Sequence, residues 1–134
     1  MKENEFSMNA ASQLPLILMI DDDKFYLNEL SFTVEGKAKY KCFLGPNDFE
    51  KNVQPEDISL AKLIIVDYNF GKQLGTAISR QMSEYIRNML GFKGKLVLCT
   101  VLGPYLKGND EVKQAFDYVL AKQDLNWDVI SKLI

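Results

Sequence analysis

The sequence contains no histidine and only two cysteines, Cys42 and Cys99. Zinc sites built from cysteine and histidine are therefore excluded, and so are catalytic pairs in which a histidine activates a serine or a cysteine. Any metal ion must be bound by oxygen atoms, which favours Mg²⁺, Mn²⁺ or Ca²⁺.

Long apolar runs and an excess of positive charge are also missing. The longest apolar run, residues 14–20, contains Pro15 and is too short to cross a bilayer, and no basic region or cleavage site marks a signal peptide. The net charge of −2 offers no basic surface for nucleic-acid phosphates. We therefore expect a cytoplasmic protein with no membrane contact and no direct nucleic-acid binding.

The length and composition of the chain are typical of one globular domain. Its 134 residues are enough for a single core, and the contents of 47% hydrophobic and 25% charged residues are ordinary for a soluble protein. Residues 1–13 are polar and aperiodic, which predicts a flexible leader. Residues 14–134 are predicted to form the domain.

The apolar run at residues 63–66 leads directly into Asp67. Consecutive apolar residues without polar alternation are typical of a strand that is covered on both faces, as in a parallel sheet. Asn69, Gly71 and Gly75 then favour a loop. Asp67 is thus predicted at the carboxyl end of a central strand, the edge at which open α/β sheets bind ligands.

Strands and helices are predicted to alternate along the whole chain. The remaining strands are expected at residues 14–20, 40–44, 95–100 and 118–121. Helical spacing or helix-capping residues predict helices at 24–34, from 47, at 78–90, at 110–116 and after 124, whereas 54–57 are predicted to be a loop. This order predicts a parallel sheet with helices on both faces and right-handed crossovers.

Helix caps are predicted from polar residues that precede each helical pattern. Asp23 is expected to cap the first helix, Asn47 the second with Glu50 as its partner, and Asp124 the last. Gly36 is expected to end the first helix.

Four of the predicted strands end in a polar residue that can act chemically. These residues are Asp21 and Asp22, Asp67, Thr100 and Lys122. Because the carboxyl ends of parallel strands meet at one edge, the side chains are expected to lie together.

This pattern resembles the receiver domain of two-component response regulators, over residues 14–134. The matching segments are the strand and acidic residues at 16–23, the pattern Asp67-x-x-Phe70-Gly71-x-x-x-Gly75, and the strands that end at Thr100 and Lys122. The resemblance implies a flavodoxin-like, five-stranded, doubly wound parallel sheet in the order 2-1-3-4-5.

The resemblance also implies a function and a ligand set. The chain would be a phosphoacceptor in a two-component or phosphorelay system, a signalling domain rather than a classical enzyme, and Mg²⁺ would be its cofactor. Asp22 would bind Mg²⁺ directly and Asp21 through water, with Asp67 and the backbone carbonyl of Asn69 as the other protein ligands.

The phosphoryl group would be received by Asp67. Thr100 would form a hydrogen bond to it and Lys122 would pair with its oxygen atoms. Three carboxylates ~5 Å apart repel one another by about 3 kcal/mol per pair at an effective dielectric constant near 20. Such a cluster therefore requires a cation or a raised pKa, and Mg²⁺ with Lys122 would balance its charge.

The resemblance implies partners as well. Without histidine, the chain must receive its phosphoryl group from a sensor histidine kinase, a histidine phosphotransfer protein or a small acyl phosphate. An output protein or domain would be contacted through the fourth helix of the family, the fifth strand and the last helix, near Tyr105, Lys107, Tyr118 and Trp127. The chain would be either a stand-alone receiver or part of a longer protein.

Several residues depart from the family pattern. Gly71 replaces a proline, and Val101 stands where alanine or glycine is preferred, so a bulkier side chain could crowd the phosphoryl pocket. The aromatic residue Tyr118 comes four rather than three residues before Lys122, which would turn it to the other face of its strand. Cys42 and Cys99, on the second and fourth strands, would be ~14 Å apart, so both are predicted to be buried and reduced.

Two alternatives stay open. The chain could be a pseudo-receiver that binds proteins without being phosphorylated. A haloacid-dehalogenase-like phosphatase, with Asp21 and Asp23 as nucleophile and acid, is disfavoured because its final acidic motif should follow the lysine on a later strand.

Overall fold

The computed structural model describes residues 13–67, 75–101 and 110–134. The strands are β1 (Leu16–Ile20), β2 (Lys39–Phe43), β3 (Ala61–Asp67), β4 (Lys95–Thr100) and β5 (Tyr118–Ala121). Within the described residues the helices are α1 (Lys24–Val34), α2 (Pro46–Asn52), α3 (Pro55–Leu60), α4 (Gly75–Glu84), α5 (Asp110–Ala115) and α6 (Trp127–Leu133). The predicted leader, the Asn69 carbonyl, Gly71, Tyr105 and Lys107 lie outside the described residues.

The strands form one five-stranded sheet in the order β2-β1-β3-β4-β5, and every neighbouring pair is parallel. The predicted order 2-1-3-4-5 is therefore confirmed. The register pairs Ile20 with Val66 and Asp67 with Cys99, so the carboxyl ends of β1, β3 and β4 are level with one another.

Two apolar clusters cover the two faces of the sheet. Alternate residues of β3 divide between them, with Ile64 and Val66 in one and Leu63 and Ile65 in the other. Helices α2 to α5 supply the first cluster, through Phe49, Ile58, Met82 and Val112. Helices α1 and α6 supply the second, through Leu27, Leu30, Val34 and Ile130. Burying each such side chain contributes roughly 1.5–3 kcal/mol before conformational entropy is subtracted.

The prediction of helix α1 is confirmed, including its N-terminal cap at Asp23 and its end before Gly36. The Asp23 carboxylate accepts hydrogen bonds from the backbone N–H groups of Phe25 and Tyr26, at 3.0 and 3.2 Å. Gly36 follows the helix with φ 76°, a conformation that favours glycine.

Two of the predicted caps are wrong. Helix α2 begins at Pro46 after Gly45, which makes no side-chain cap, so Asn47 lies inside the helix. Helix α6 is capped by Asn126, whose side chain accepts from the Val129 N–H at 3.0 Å. Asp124 instead ends a short 3₁₀ turn, Lys122–Asp124.

The predicted loop at residues 54–57 is also wrong, because it contains the start of α3. Gln54 and Asp57 form a reciprocal capping box at the helix N-terminus. The buried Asp57 carboxylate also accepts a hydrogen bond from Lys41 Nζ at 2.7 Å, which ties the helix to β2.

The two cysteines are free, but only Cys99 is buried as predicted. Cys42 is exposed, because β2 is an edge strand and its residues Lys39, Lys41 and Cys42 are not covered. The Cys42 Sγ atom lies 3.6 Å from the hydroxyl of Ser31 on α1.

Helix α4 continues into one turn of π-helix, Tyr85–Met89. The Arg87 guanidinium in this turn donates to the carbonyls of Phe92 and Gly94, both at 2.9 Å, and to the Asp117 carboxylate at 2.6 Å. Arg87 therefore joins the end of α4 to the segments that enter β4 and β5. Across the described ranges, no helix has the length and apolar character needed to cross a membrane.

Candidate functional site

Three carboxylates converge at the carboxyl edge of the sheet. Asp21 follows β1 and Asp67 ends β3, and the pairing of Ile20 with Val66 makes these two positions neighbours. One carboxylate oxygen each from Asp21, Asp22 and Asp67 lies within 4.8 Å of the others. Asp21 and Asp67 are buried whereas Asp22 is exposed, so the cluster has one open side.

Lys122 follows the outer strand β5 and reaches this cluster along the carboxyl edge of the sheet. Its Nζ atom lies 2.8 Å from Asp21 Oδ2 and 3.4 Å from Asp67 Oδ1. Only 14% of its side chain is exposed. One ammonium beside three carboxylates leaves an excess of negative charge, and an all-oxygen donor set of this kind fits Mg²⁺.

Burial and charge act against each other at Asp21 and Lys122. Burial raises the pKa of Asp21, although the hydrogen bonds from Lys122 and from the Asp23 N–H act to lower it. Burial alone would lower the pKa of Lys122, but the bond to Asp21 and the charges of Asp67 and Asp21 outweigh it and raise that pKa. Lys122 is therefore protonated at neutral pH and supplies a fixed positive charge.

The three consecutive aspartates have different roles in the fold. Asp21 points into the site and accepts the Asp23 N–H at 2.8 Å. Asp22 contributes to the cluster from its exposed side, whereas the Asp23 carboxylate caps α1. This arrangement does not support Asp21 and Asp23 as the two acids of a phosphatase, because the Asp23 oxygen is occupied by backbone N–H groups.

Thr100 ends β4 next to the cluster. The register pairs Asp67 with Cys99, so Thr100 is one residue beyond Asp67 on the neighbouring strand. Thr100 is buried, whereas the next residue, Val101, is 62% exposed. The structure therefore brings Thr100 to the expected edge and leaves Val101 at the surface beside it.

Sequence reasoning missed Tyr26, which contacts Lys122 from α1. The Lys122 Nζ atom lies 4.4 Å from the centroid of the Tyr26 ring. The Tyr26 hydroxyl lies 3.4 Å from the Lys122 carbonyl oxygen and 3.3 Å from Cys99 Sγ. The available signal was the spacing of four residues to the buried Leu30, which places Tyr26 on the inner face of the helix.

The end of β5 departs from the receiver-domain pattern, because its aromatic residue, Tyr118, comes four residues before Lys122 instead of three. Val119, three residues before Lys122, packs against the first core cluster, and Leu120 packs against the second. Strand alternation puts Tyr118 on the same face as Leu120. Trp127 packs at the edge of the second cluster, with Lys37 Nζ 5.7 Å from its ring centroid.

This architecture is similar to that of many solved response-regulator receiver domains. The response regulator TrrA from Thermotoga maritima, in complex with Mg²⁺ and BeF, has a TM-score of 0.67 at 15% identity, covering 90% of this chain and 100% of that one. A receiver domain protein from Clostridium thermocellum has a TM-score of 0.65 at 19% identity, covering 90% of each chain. The BeF3-activated DrrB receiver domain has a TM-score of 0.64 at 19% identity, covering 88% of this chain and 92% of that one.

The chain has the receiver fold. No protein-family model and no curated protein matches the sequence. The receiver fold puts the carboxyl ends of β1, β3, β4 and β5 at a common edge, which is where the acidic cluster, Thr100 and Lys122 are found.

Proposed function

We propose that this chain is a phosphoacceptor domain of a two-component or phosphorelay system, in which Asp67 receives the phosphoryl group. One observation carries the proposal. The carboxylates of Asp21, Asp22 and Asp67 meet within 4.8 Å at the carboxyl edge of a receiver fold, and Lys122 lies 2.8 and 3.4 Å from two of them.

Asp21, Asp22, Asp67 and the carbonyl of Asn69 would hold the metal ion. When it is bound, Mg²⁺ neutralises the phosphoryl oxygens as negative charge moves during transfer. TrrA is a receiver fold solved with Mg²⁺ and BeF, and the same donor chemistry is available at this edge of the sheet.

The side chains of the site supply the rest of the reaction. An oxygen of the Asp67 carboxylate attacks the phosphorus atom, the bond from phosphorus to the donor nitrogen or oxygen breaks, and an aspartyl phosphate forms. The ammonium of Lys122 neutralises a phosphoryl oxygen, and the Thr100 hydroxyl donates a hydrogen bond to another. Catalysis then consists of positioning and charge stabilisation rather than proton transfer.

The donor would be a phosphohistidine of a sensor kinase or a phosphotransfer protein, because this chain contains no histidine. The readout would be a change at the surface of α5, β5 and α6, close to the end of β5 that carries Lys122. A cytoplasmic location agrees with this chemistry and is part of the proposal.

The second candidate is a receiver fold that binds a protein partner without being phosphorylated. Val101, exposed beside Thr100, and the aliphatic Val119 three residues before Lys122 favour this alternative. Both positions belong to the part of the site that would respond to a phosphoryl group.

The two functions are separated by incubating the protein with acetyl phosphate, with and without Mg²⁺, and measuring its intact mass. A Mg²⁺-dependent phosphoryl adduct that is lost in Asp67→Asn supports the phosphoacceptor. No adduct in a folded protein that still binds Mg²⁺ supports the binding module. An adduct that forms in Val101→Ala but not in the original chain would identify Val101 as the obstacle.

A further inference from the structure

Tyr26 holds Lys122 at two points. Its ring lies against the ammonium, with 4.4 Å from Nζ to the ring centroid, and its hydroxyl lies 3.4 Å from the Lys122 carbonyl oxygen. The first contact restrains the end of the side chain and the second restrains the start of the Lys122–Asp124 turn. A lysine side chain has many rotamers, so restraint at both ends narrows where the ammonium can lie.

The hydroxyl of Tyr26 is itself fixed by Cys99. A phenol can donate one hydrogen and accept another, so the thiol of Cys99 can donate to the Tyr26 oxygen while the phenol donates to the Lys122 carbonyl. Burial raises the pKa of Cys99 to about 11, which keeps the thiol protonated for this role. The chain of contacts thus runs from β4 through Tyr26 to the backbone of Lys122.

The ring and the carboxylates contact the same ammonium. Tyr26 packs against the second core cluster and its ring centroid lies 4.4 Å from Lys122 Nζ, whereas Asp21 and Asp67 lie 2.8 and 3.4 Å from the same atom. A cation on an aromatic face is attracted by the ring quadrupole, and the attraction is stronger where water is excluded. Only 14% of the Lys122 side chain is exposed, so this attraction acts at a largely dry position.

We propose that Tyr26 is a positioning residue for the Lys122 ammonium. This inference rests on the proposed phosphoacceptor function. It adds that the ring of Tyr26 keeps the ammonium over Asp67 when Lys122 leaves Asp21 to pair with a phosphoryl oxygen. Losing the ring therefore slows phosphoryl transfer to Asp67, and the effect acts through Lys122.

The test compares Tyr26→Phe, which keeps the ring but removes the hydroxyl, with Tyr26→Leu, which removes both. With acetyl phosphate and Mg²⁺, Tyr26→Leu is expected to lower the rate of adduct formation roughly tenfold and Tyr26→Phe by less than about threefold. Tyr40→Leu, a tyrosine on β2 remote from Lys122, controls for the loss of an aromatic ring.

A double-mutant cycle separates positioning from a general structural role. In a Lys122→Met background, Tyr26→Leu is expected to have no further effect on the rate. An equal loss in both backgrounds would overturn the proposal, as would an unchanged rate in Tyr26→Leu. If Tyr26→Leu does not fold, the same cycle is run with Tyr26→Phe, whose smaller effect must also vanish without Lys122.

A second readout does not depend on phosphorylation. The ring current of Tyr26 is expected to shift the ε-methylene NMR signals of Lys122 upfield from those of the other lysines, with Lys122→Met giving the assignment. The shift should be lost in Tyr26→Leu and kept in Tyr26→Phe, and equal signals in all three proteins would overturn the contact. If the signals behave as expected but the original chain takes up no phosphoryl group, it is the phosphoacceptor function that fails.

Discussion

The Nζ atom of Lys122 lies 2.8 Å from Oδ2 of Asp21, although β5 and β1 are separated in the sheet by β4 and β3. The lysine therefore extends across the carboxyl ends of both intervening strands and passes Asp67 on the way. One side chain links the outer strand β5 to the acidic cluster that begins at β1.

Replacing Lys122 with methionine should destabilise the metal-free protein. Asp21 and Asp67 would stay buried without the ammonium, so the free energy of unfolding should fall by on the order of 3 kcal/mol in EDTA. Mg²⁺ should restore part of the loss because it supplies positive charge. Urea unfolding measures both effects. Lys132→Met, at an exposed position on α6, should change stability by less than about 0.5 kcal/mol, and an equal loss in both variants would count against the buried pair.

Replacing Asp22 with asparagine should remove Mg²⁺-dependent stabilisation without harming the fold. Asp22 is exposed but shares the cluster with Asp21 and Asp67, so the change removes one candidate ligand and one repulsive charge. At a hundredfold excess over Kd, Mg²⁺ should stabilise the original chain by about 3 kcal/mol, which thermal melting will detect. Asp128→Asn, an exposed acid on α6, should keep the whole effect, and equal Mg²⁺ shifts in the two variants would place the ion elsewhere.

Alkaline pH should weaken the fold through Cys99. Burial raises the pKa of this thiol from 9.0 to about 11 in the folded chain. A group whose pKa is higher in the folded state contributes stability below its unfolded pKa and loses it as pH rises through its folded pKa. Stability should therefore fall by roughly 2 to 3 kcal/mol between about pH 9 and 11 from this group.

The measurement is the difference in pH dependence between the original chain and Cys99→Ala. All other ionisable side chains are common to both proteins, so the difference between the two curves reports Cys99. The slope of stability against pH should be shallower in Cys99→Ala, and identical slopes would contradict a buried, neutral thiol.

The two thiols should also differ in reactivity. Cys42 is exposed on the edge strand and Cys99 is 1% exposed, so a thiol reagent should modify one site in the folded chain and two after denaturation. Cys42→Ser should abolish the reaction of the folded chain. Rapid modification of both thiols under native conditions would show that β4 opens far more readily than its burial implies.

Arg87, in the π turn, should contribute more to stability than Arg80 on α4. Its guanidinium bonds two carbonyls and the Asp117 carboxylate, which also accepts the Leu96 N–H at 2.8 Å. Arg87→Met should cost about 2 to 3 kcal/mol because these groups lose a charged partner.

Arg80→Met is the matched control for this prediction. Arg80 forms ion pairs of 4.0 Å with Glu84 and 3.8 Å with Glu111, and all three side chains are more than half exposed. Losing these pairs should therefore lower the free energy of unfolding by less than about 0.5 kcal/mol. Similar losses in urea unfolding for Arg80→Met and Arg87→Met would show that the bonds around Arg87 add little.

The strands and the acidic cluster could be predicted because both follow from short-range pattern. β4 and β5 were predicted with their observed bounds, because each contains a short apolar run that ends at, or directly before, a polar residue. Parallel strands then bring their carboxyl ends together whatever the details of packing, and this places Asp21, Asp67 and Lys122 near one another.

Features that depend on contacts between distant segments could not be predicted. Helix α3 has only six residues, without an apolar period, and is stabilised by its capping box and by Lys41 from β2. Cys42 is a different case, because the predicted strand order already placed β2 at an edge of the sheet and the prediction of a buried thiol did not use it. The contact of Tyr26 with Lys122 depends on how α1 sits against the end of the sheet, which no local pattern specifies.

The π turn at Tyr85–Met89 limits which insertions and deletions this part of the chain can accept. In an α-helix each residue turns the chain by about 100°, so deleting one residue here would rotate the following segment about the helix axis. Phe92, which is 2% exposed, would leave its place in the core, and its carbonyl would move away from Arg87. Related chains should therefore tolerate substitutions across this turn far better than insertions or deletions.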